Sequence, residues 1–293
     1  MRRGLGFVAT GLAAIVAAGL YVTRATPIDD QSLAGLNGDP GRGETVFIAS
    51  GCASCHAAPE AEGEAKLVLA GGQRFPSDFG TFIAPNISPD PVAGIGAWTL
   101  ADFASAVKKG VSPDGQHYYP AFPYASYIHM DDQDVVDLWA YWQSLPADTT
   151  SSQPHEIGFP FNIRRSVGVW KMLYLTEDWV VTPAQSPEIE RGRDLVEALA
   201  HCGECHTPRT ALGGMDRSKW LAGAPNPTGR GRIPSLTPED LTWGPTDIAY
   251  YLETGFTPDF DSAGGHMVAV IENFAQLPAD DRTAVAAYLK ALP

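Results

Sequence analysis

The chain has 293 residues, enough for about two domains at roughly 150 residues each. Hydrophobic residues make up 44% and charged residues 18%, which excludes wholesale disorder, and 30 glycines with 24 prolines exclude a long-helix or coiled-coil protein. A net charge of −14 argues against nucleic acid as the main partner, because that binding needs clustered lysine and arginine.

In chain order, the first element is Met1-Arg2-Arg3 and an uncharged apolar run from Leu5 to Val22, closed by Arg24. Eighteen such residues just span a bilayer as a tilted helix, with Arg2 and Arg3 kept cytoplasmic. The rival is a cleaved signal peptide, although Leu20, Tyr21, Val22 and Arg24 crowd the place where small residues would mark cleavage. The paired arginines lack the rest of a twin-arginine signal. Residues 1–25 are therefore expected to be a membrane anchor or signal segment, and 26–37 a linker. Both readings export the remainder of the chain.

The next element is a short apolar-periodic helix through Val46-Phe47-Ile48 that leads into Cys52-Ala53-Ser54-Cys55-His56. The other two cysteines stand in the same frame, Cys202-Gly203-Glu204-Cys205-His206. CxxCH is the attachment motif of c-type haem. Two thiols add to the two vinyl groups of one porphyrin, and the next residue reaches the iron from the same turn. His56 and His206 are the expected proximal ligands of two covalently bound haem c groups. A four-cysteine zinc site needs no histidine after each pair, and its spacing is far shorter than the intervening stretch of about 145 residues. A thioredoxin-like motif needs one CxxC beside a βαβ pattern, which is missing here. Disulfides within CxxC pairs rarely serve a structural purpose.

The second half repeats the first at a period of about 150 residues. Arg42-Gly43 lies ten residues before Cys52, and Arg191-Gly192 eleven before Cys202. Pro85-Asn86-Ile87 lies 29 residues after His56, and Pro234-Ser235-Leu236 lies 28 after His206. Trp98 and Trp243 then precede short helices over 102–109 and 247–254, each stopped by a glycine. Closing helices are expected over 134–145 and 280–292, with Tyr141 and Tyr288 in matching places. This order resembles the class I cytochrome c fold. The resemblance implies an all-α protein: two tandem class I cytochrome c-like domains, 38–150 and 186–293, after an N-terminal transmembrane or signal helix, with a packed interdomain segment over 151–185. A unit of about 100 residues so rich in loop can hardly build a core alone, and a haem would supply the missing apolar mass. The same resemblance implies that the carbonyls of Pro85 and Pro234 accept the second ring N–H of each histidine and fix its tautomer.

Five methionines compete for the sixth ligand positions. Met1 is the initiator, Met172 falls between the halves, and Met215 follows His206 too closely to cross the ring. Met130 and Met267 remain, one per half, and are the expected ligands; a His/Met pair leaves no open site and suits electron transfer. They do not align. Met267 lies 21 residues before Tyr288 and Met130 only 11 before Tyr141, so the first-half residue nearest to Met267 is Phe122. Met130, just before Asp131-Asp132, also reads as a hydrophobic staple. His117 and His129 stay open as alternatives, and a swap within the pairs His129-Met130 and His266-Met267 is conceivable. His155 and His201 read as surface or capping residues.

The combined motifs resemble the cytochrome c subunits of bacterial membrane-bound dehydrogenases. The residues that carry the likeness are Gly80-Thr81-Phe82-Ile83-Ala84-Pro85-Asn86-Ile87, Gly94-Ile95-Gly96-Ala97-Trp98, Tyr119-Pro120-Ala121-Phe122-Pro123-Tyr124, Phe161-Asn162-Ile163-Arg164 and His201 to Arg209. The chain departs from many members in ending after two haem motifs and in having Phe122 where they have methionine. The resemblance implies a non-enzymatic electron carrier on the periplasmic side of the bacterial inner membrane. Its donor would be a flavin, quinone-cofactor or molybdenum dehydrogenase, and its acceptor a quinone, another cytochrome or a terminal oxidase of the respiratory chain. Residues 36–150 carry 14 acidic against 5 basic groups and residues 186–293 carry 15 against 9, so basic partner patches are expected to be steered toward them. A di-haem peroxidase or thiosulfate-oxidising enzyme remains the alternative, and it needs one iron without methionine. A haem-based sensor would need an output domain, for which no segment is left.

Overall fold

Asp39 starts the first half by accepting hydrogen bonds from the N–H groups of Gly41 (2.9 Å) and Arg42 (3.3 Å), and Pro40 supplies a first helical position that needs no donor. The computed structural model describes residues 2–227 and 231–292, with side chains described from Thr10 onward. In chain order it contains α1 (Arg2–Val22), α2 (Pro40–Ala49), α3 (Cys52–His56), β1 (Arg74–Ser77), β2 (Gly80–Ile83), α4 (Leu100–Lys109), α5 (Tyr124–Tyr127) and α6 (Asp132–Trp142). There follow β3 (Glu156–Ile157), α7 (Val167–Tyr174), α8 (Pro187–Arg193), α9 (Gly203–His206), β4 (Ala224–Pro225), β5 (Arg232–Ile233), α10 (Pro245–Thr254), α11 (Met267–Phe274) and α12 (Ala279–Lys290).

The same crossing is built in each half. In the first, α2 packs on α6 so closely that a Cβ on Gly43 would sit 2.0 Å from the Asp137 carbonyl oxygen. In the second, α8 packs on α12, and a Cβ on Gly192 would sit 2.0 Å from the Ala284 carbonyl oxygen. The arginine beside each glycine ties the crossing: Arg42 Nε to Asp137 at 2.7 Å, and Arg191 Nε to Asp281 at 2.8 Å. Burial alone would push the Asp137 carboxyl up. The guanidinium of Arg42, the N–H of Asp39 and the amide of Gln133 outweigh burial and hold it below the ordinary range.

The unequal spacing between arginine and cysteine has a local cause. After α8 the chain runs through a π-helical turn over Asp194–Leu199, which absorbs the additional residue of the second half. The chain then breaks at equivalent places, Gly51 with φ +62° and His201 with φ +41°, so each CxxCH forms its own short helix rather than the end of the preceding one.

The structure is helix-rich but not all-α. β1, β2 and β3 form an antiparallel sheet with Phe75 opposite Phe82 and Gly80 opposite Ile157; β4 pairs with β5, Ala224 opposite Ile233. β1, β2, β4 and β5 lie between a CxxCH turn and its proline, and β3 lies in the segment between the halves, all in stretches that carry no helical apolar period. The segment between the halves is anchored to both: Lys171 on α7 donates to the carbonyl of Gly110 (2.8 Å), and Tyr174 bonds Thr210 (2.8 Å). The expected N-terminal span begins at Leu5, and the side chains of residues 1–9 lie outside the described part. Among the described residues, no helix is long and apolar enough to cross a membrane.

Candidate functional site

The two CxxCH turns are clamped in the same way. Gly71 donates its N–H to the His56 carbonyl (2.8 Å), and Gly223 donates to that of His206 (2.7 Å). Both glycines have positive φ, +73° and +76°. A Cβ on Gly71 would meet the Pro85 carbonyl oxygen at 2.5 Å, and one on Gly223 the Ile233 carbonyl oxygen at 2.8 Å, so only glycine lets the loop lie this close. The adjoining hairpins then deliver the prolines. Pro85 O lies 3.0 Å from His56 Nδ1, and Pro234 O lies 2.8 Å from His206 Nδ1. Each Nδ1–H donates to its carbonyl, which leaves Nε2 with its lone pair. Burial lowers the pKa of both histidines despite these bonds, so both rings are held in the neutral form that ligates a metal.

The thiols complete a donor set suited to thioether attachment. All four cysteines are free, and each pair lies on one helical turn. Burial pushes Cys52 and Cys202 up to about 12, each reinforced by the other thiol of its pair. Burial also pushes Cys55 up to about 11, and the Cys205 thiol across the molecule adds to that shift. Thiols held protonated in this way are poor redox nucleophiles. Among the described residues, no group of three or more His, Cys, Asp or Glu side chains converges to hold a metal ion. The zinc and dithiol readings therefore find no support, whereas a neutral histidine directly after two thiols on one turn fits haem c.

The halves meet through these same turns. Asn273 Nδ2 on α11 donates to Ser54 Oγ (3.2 Å), and Ser126 Oγ on α5 donates to Glu204 Oε1 (3.4 Å). Ser54 and Glu204 hold the same motif position, and Ser126 and Asn273 each precede the last residue of their helix, so the contact is pseudo-symmetric. Tyr127 lies between the halves, donating to Ser50 O (2.8 Å) and packing edge-on to His201 with centroids 5.4 Å apart. Its pKa rises well above the ordinary value through burial and the adjacent Cys52 and Cys55. Tyr127, Ser126 and Asn273 carry no motif that marks them as site residues, because each acts through a contact between the halves. His201, read as a surface or capping residue, is half-buried here and engages the Leu199 carbonyl through Nδ1 (2.9 Å).

The sixth-ligand candidates stand in different settings. Met267 opens α11 and is half-buried. Met130 is 2% exposed and lines a small cavity with Asp134, Asp194, Ala198 and Leu199. His129 stacks on Trp179 with centroids 4.5 Å apart, and burial, with help from Arg217, pushes its pKa down to about 4. His117 is 4% exposed, with Nε2 2.9 Å from the Thr23 carbonyl.

This arrangement is that of a covalently attached haem protein, and comparison with known proteins agrees. The cytochrome c family profile matches residues 41–146. A diheme cytochrome c-type protein of Cereibacter sphaeroides is 56% identical over 296 residues, covering 100% of this chain and 99% of the relative. The fructose dehydrogenase cytochrome subunit of Gluconobacter japonicus is 36% identical over 278 residues, 92% of this chain and 56% of that subunit. The cytochrome c subunit of the quinone alcohol dehydrogenase of Gluconacetobacter polyoxogenes is 34% identical over 266 residues, 86% of this chain and 55% of that subunit. The chain thus spans about half the length of these two dehydrogenase subunits. It belongs to the cytochrome c family, and it carries two covalently bound haem c groups.

Proposed function

We propose that this protein relays electrons from a dehydrogenase through two haems to a quinone, another cytochrome or a terminal oxidase. Haem c, when bound, supplies reversible one-electron chemistry. The chain itself attaches the groups through Cys52, Cys55, Cys202 and Cys205, and presents Nε2 of His56 and His206 in a fixed tautomer. The observation that carries the reading is the pair of reciprocal contacts by which each attachment turn meets a helix of the other half, Ser54 with Asn273 on α11 and Glu204 with Ser126 on α5. Two redox groups held in this way are placed to exchange electrons within one chain.

The fructose and alcohol dehydrogenase relatives support a dehydrogenase as donor, and we propose that it is of flavin, quinone-cofactor or molybdenum type. We place 38–150 and 186–293 as tandem class I cytochrome c-like domains, 151–185 as the packed connector, and the protein on the periplasmic side of the inner membrane. The N-terminal helix serves as the tether or export segment. The open exposure of Leu12, Ile15, Val16 and Leu20 on it supports that role. Mass spectrometry and a pyridine haemochrome assay on purified protein should give two covalent haems per chain. Stopped-flow reduction by a cognate dehydrogenase should then fill both. A count other than two, or reduction of only one haem at full equilibration, would sink the relay.

A further inference from the structure

The internal repeat provides a ruler for the distal side of each haem, and this inference rests on the haem reading above. In each half a glycine in the left-handed region closes the middle helix, and its carbonyl accepts an N–H eight residues on: Tyr118 to Gly110 (2.8 Å) and Ala263 to Gly255 (2.8 Å). The residue packed over that glycine is Tyr124 in one half and Ile271 in the other. Three residues further on, α5 ends at Tyr127 and α11 at Phe274. The next turn is again shared: Met130 N donates to Tyr127 O (3.0 Å), and Leu277 N donates to Phe274 O (3.2 Å). Asp131 and Pro278 then cap α6 and α12. Met130 is therefore the counterpart of Leu277. The two are alike in burial, 2% and 4% exposed, and a leucine cannot ligate iron. Both occupy the position before the N-cap that staples a helix start onto the core.

Counted from the other shared landmark, Met267 stands four residues after Ala263, and the residue four after Tyr118 is Phe122. Both are half-buried and both pack against the core. Phe122 lies on Tyr127 at 5.9 Å between centroids, and Tyr127 donates to the carbonyl of Ser50 (2.8 Å), two residues before Cys52. The remaining candidates have other surroundings. His117 reaches Thr23, His129 lies on Trp179, and the cavity at Met130 is walled by Asp194, Ala198 and Leu199 of the other half.

We infer that Phe122, not Met130, takes the distal place opposite His56, and that the first haem site binds a small exogenous ligand of the diatomic class where the second has Met267. Phe122 carries no donor atom, so its ring shapes and dries that place without filling the coordination position. The probe is carbon monoxide, titrated into the dithionite-reduced full-length protein, with the methionine–iron charge-transfer band read in the oxidised form. Wild type should bind one carbon monoxide per chain and show one methionine–iron band equivalent. Met130→Leu should leave both values unchanged. Met267→Ala should remove the band. Phe122→Met should double the band and reduce carbon monoxide binding from one per chain to none. If Met130→Leu halves a two-equivalent band, or if wild type binds no carbon monoxide, the inference is overturned. Where Met130→Leu does not accumulate, the wild-type titration and Phe122→Met decide alone. A covalent haem count other than two by mass spectrometry would instead break the underlying haem reading, so the two failures are distinguishable.

Discussion

The first half of the molecule closes its core with rings, and the second closes the equivalent place with a hydrogen-bonded carboxylate. In the first, Phe47 on α2 packs against Tyr141 (5.3 Å) and Trp142 (5.7 Å), and Trp142 also meets Phe103 (5.6 Å). In the second, the buried Glu197 accepts from Tyr288 Oη (2.7 Å) and from the backbone N–H groups of Val180 (2.6 Å) and Val181 (3.1 Å). Trp220 Nε1 then donates to Tyr288 (3.0 Å). The topology is the same, but only the polar version reaches out to hold the connector. A duplicated unit can thus keep its crossing helices while one copy adds a tie between its core and the connector.

The largest test of that contrast is Glu197→Ala. It strands two backbone donors and a hydroxyl in the interior and should cost about 3–5 kcal/mol, whereas Phe47→Leu should cost only about 1–2 kcal/mol. Equal losses in denaturant unfolding of the holoprotein would break the comparison. Next comes the attachment turn itself. Gly203 lies under the Trp220 ring, with a Cβ placed 2.2 Å from it, so Gly203→Ala should cost about 1–3 kcal/mol. Its counterpart Ala53→Gly should cost only about 0.5–1 kcal/mol, through backbone entropy.

The halves should also answer pH in opposite directions. Asp137 in the first half has a folded pKa below its unfolded value, so it stabilises at neutral pH, and that contribution is lost as pH falls through the folded pKa. Asp194 in the second half is raised to about 6, chiefly by burial, which outweighs Arg193, with a contribution from Asp131. Between roughly pH 4 and 6 the unfolded chain has released this proton while the folded chain keeps it, so stability from this group falls as pH rises. Asp137→Asn should remove the acid-side loss, and Asp194→Asn should flatten the slope between about pH 4 and 6. The measurement is the thermal midpoint across pH, and a shared sign for both variants would refute the assignment.

The smallest expected effect is electrostatic steering. Residues 36–150 carry a net −9 and residues 186–293 a net −6. Neutralising Glu60, Glu62 and Glu64 should slow reduction by a basic redox partner about two- to five-fold at low salt and hardly at high salt. Rates indifferent to both charge and salt would leave these groups a solubilising role only.

Much of this was legible in the sequence because it is written in spacing. The CxxCH pairs, the proline at a fixed distance and the glycine after each middle helix each impose a local constraint, and α4, α10, α6 and α12 fall within a few residues of the expected ranges. The one-residue difference before the cysteines was visible, but its cause was not. A π turn has no residue signature, and the insertion shows only when both helices are seen against their partners. The strands were missed because two- and four-residue ladders held by loops have no periodicity to read. Methionine posed a harder problem. One residue type serves as staple or ligand, and counting back from Tyr141 cannot tell the two apart; the pairing with Leu277, similarly buried, is what supports the staple. Residues such as Asn273, whose partner Ser54 is 219 positions away, are beyond any local pattern.

The reciprocal contact between the halves has a kinetic consequence. When a motif position of one unit meets a helix end of the other, and the reverse contact is also made, the arrangement is that of a two-fold dimer. Here both partners lie on one chain. What would be a second-order encounter between two carriers becomes a first-order event, with an effective local concentration set by the connector rather than by how much protein the cell makes. Dilution that would scatter a dimer leaves this pair together.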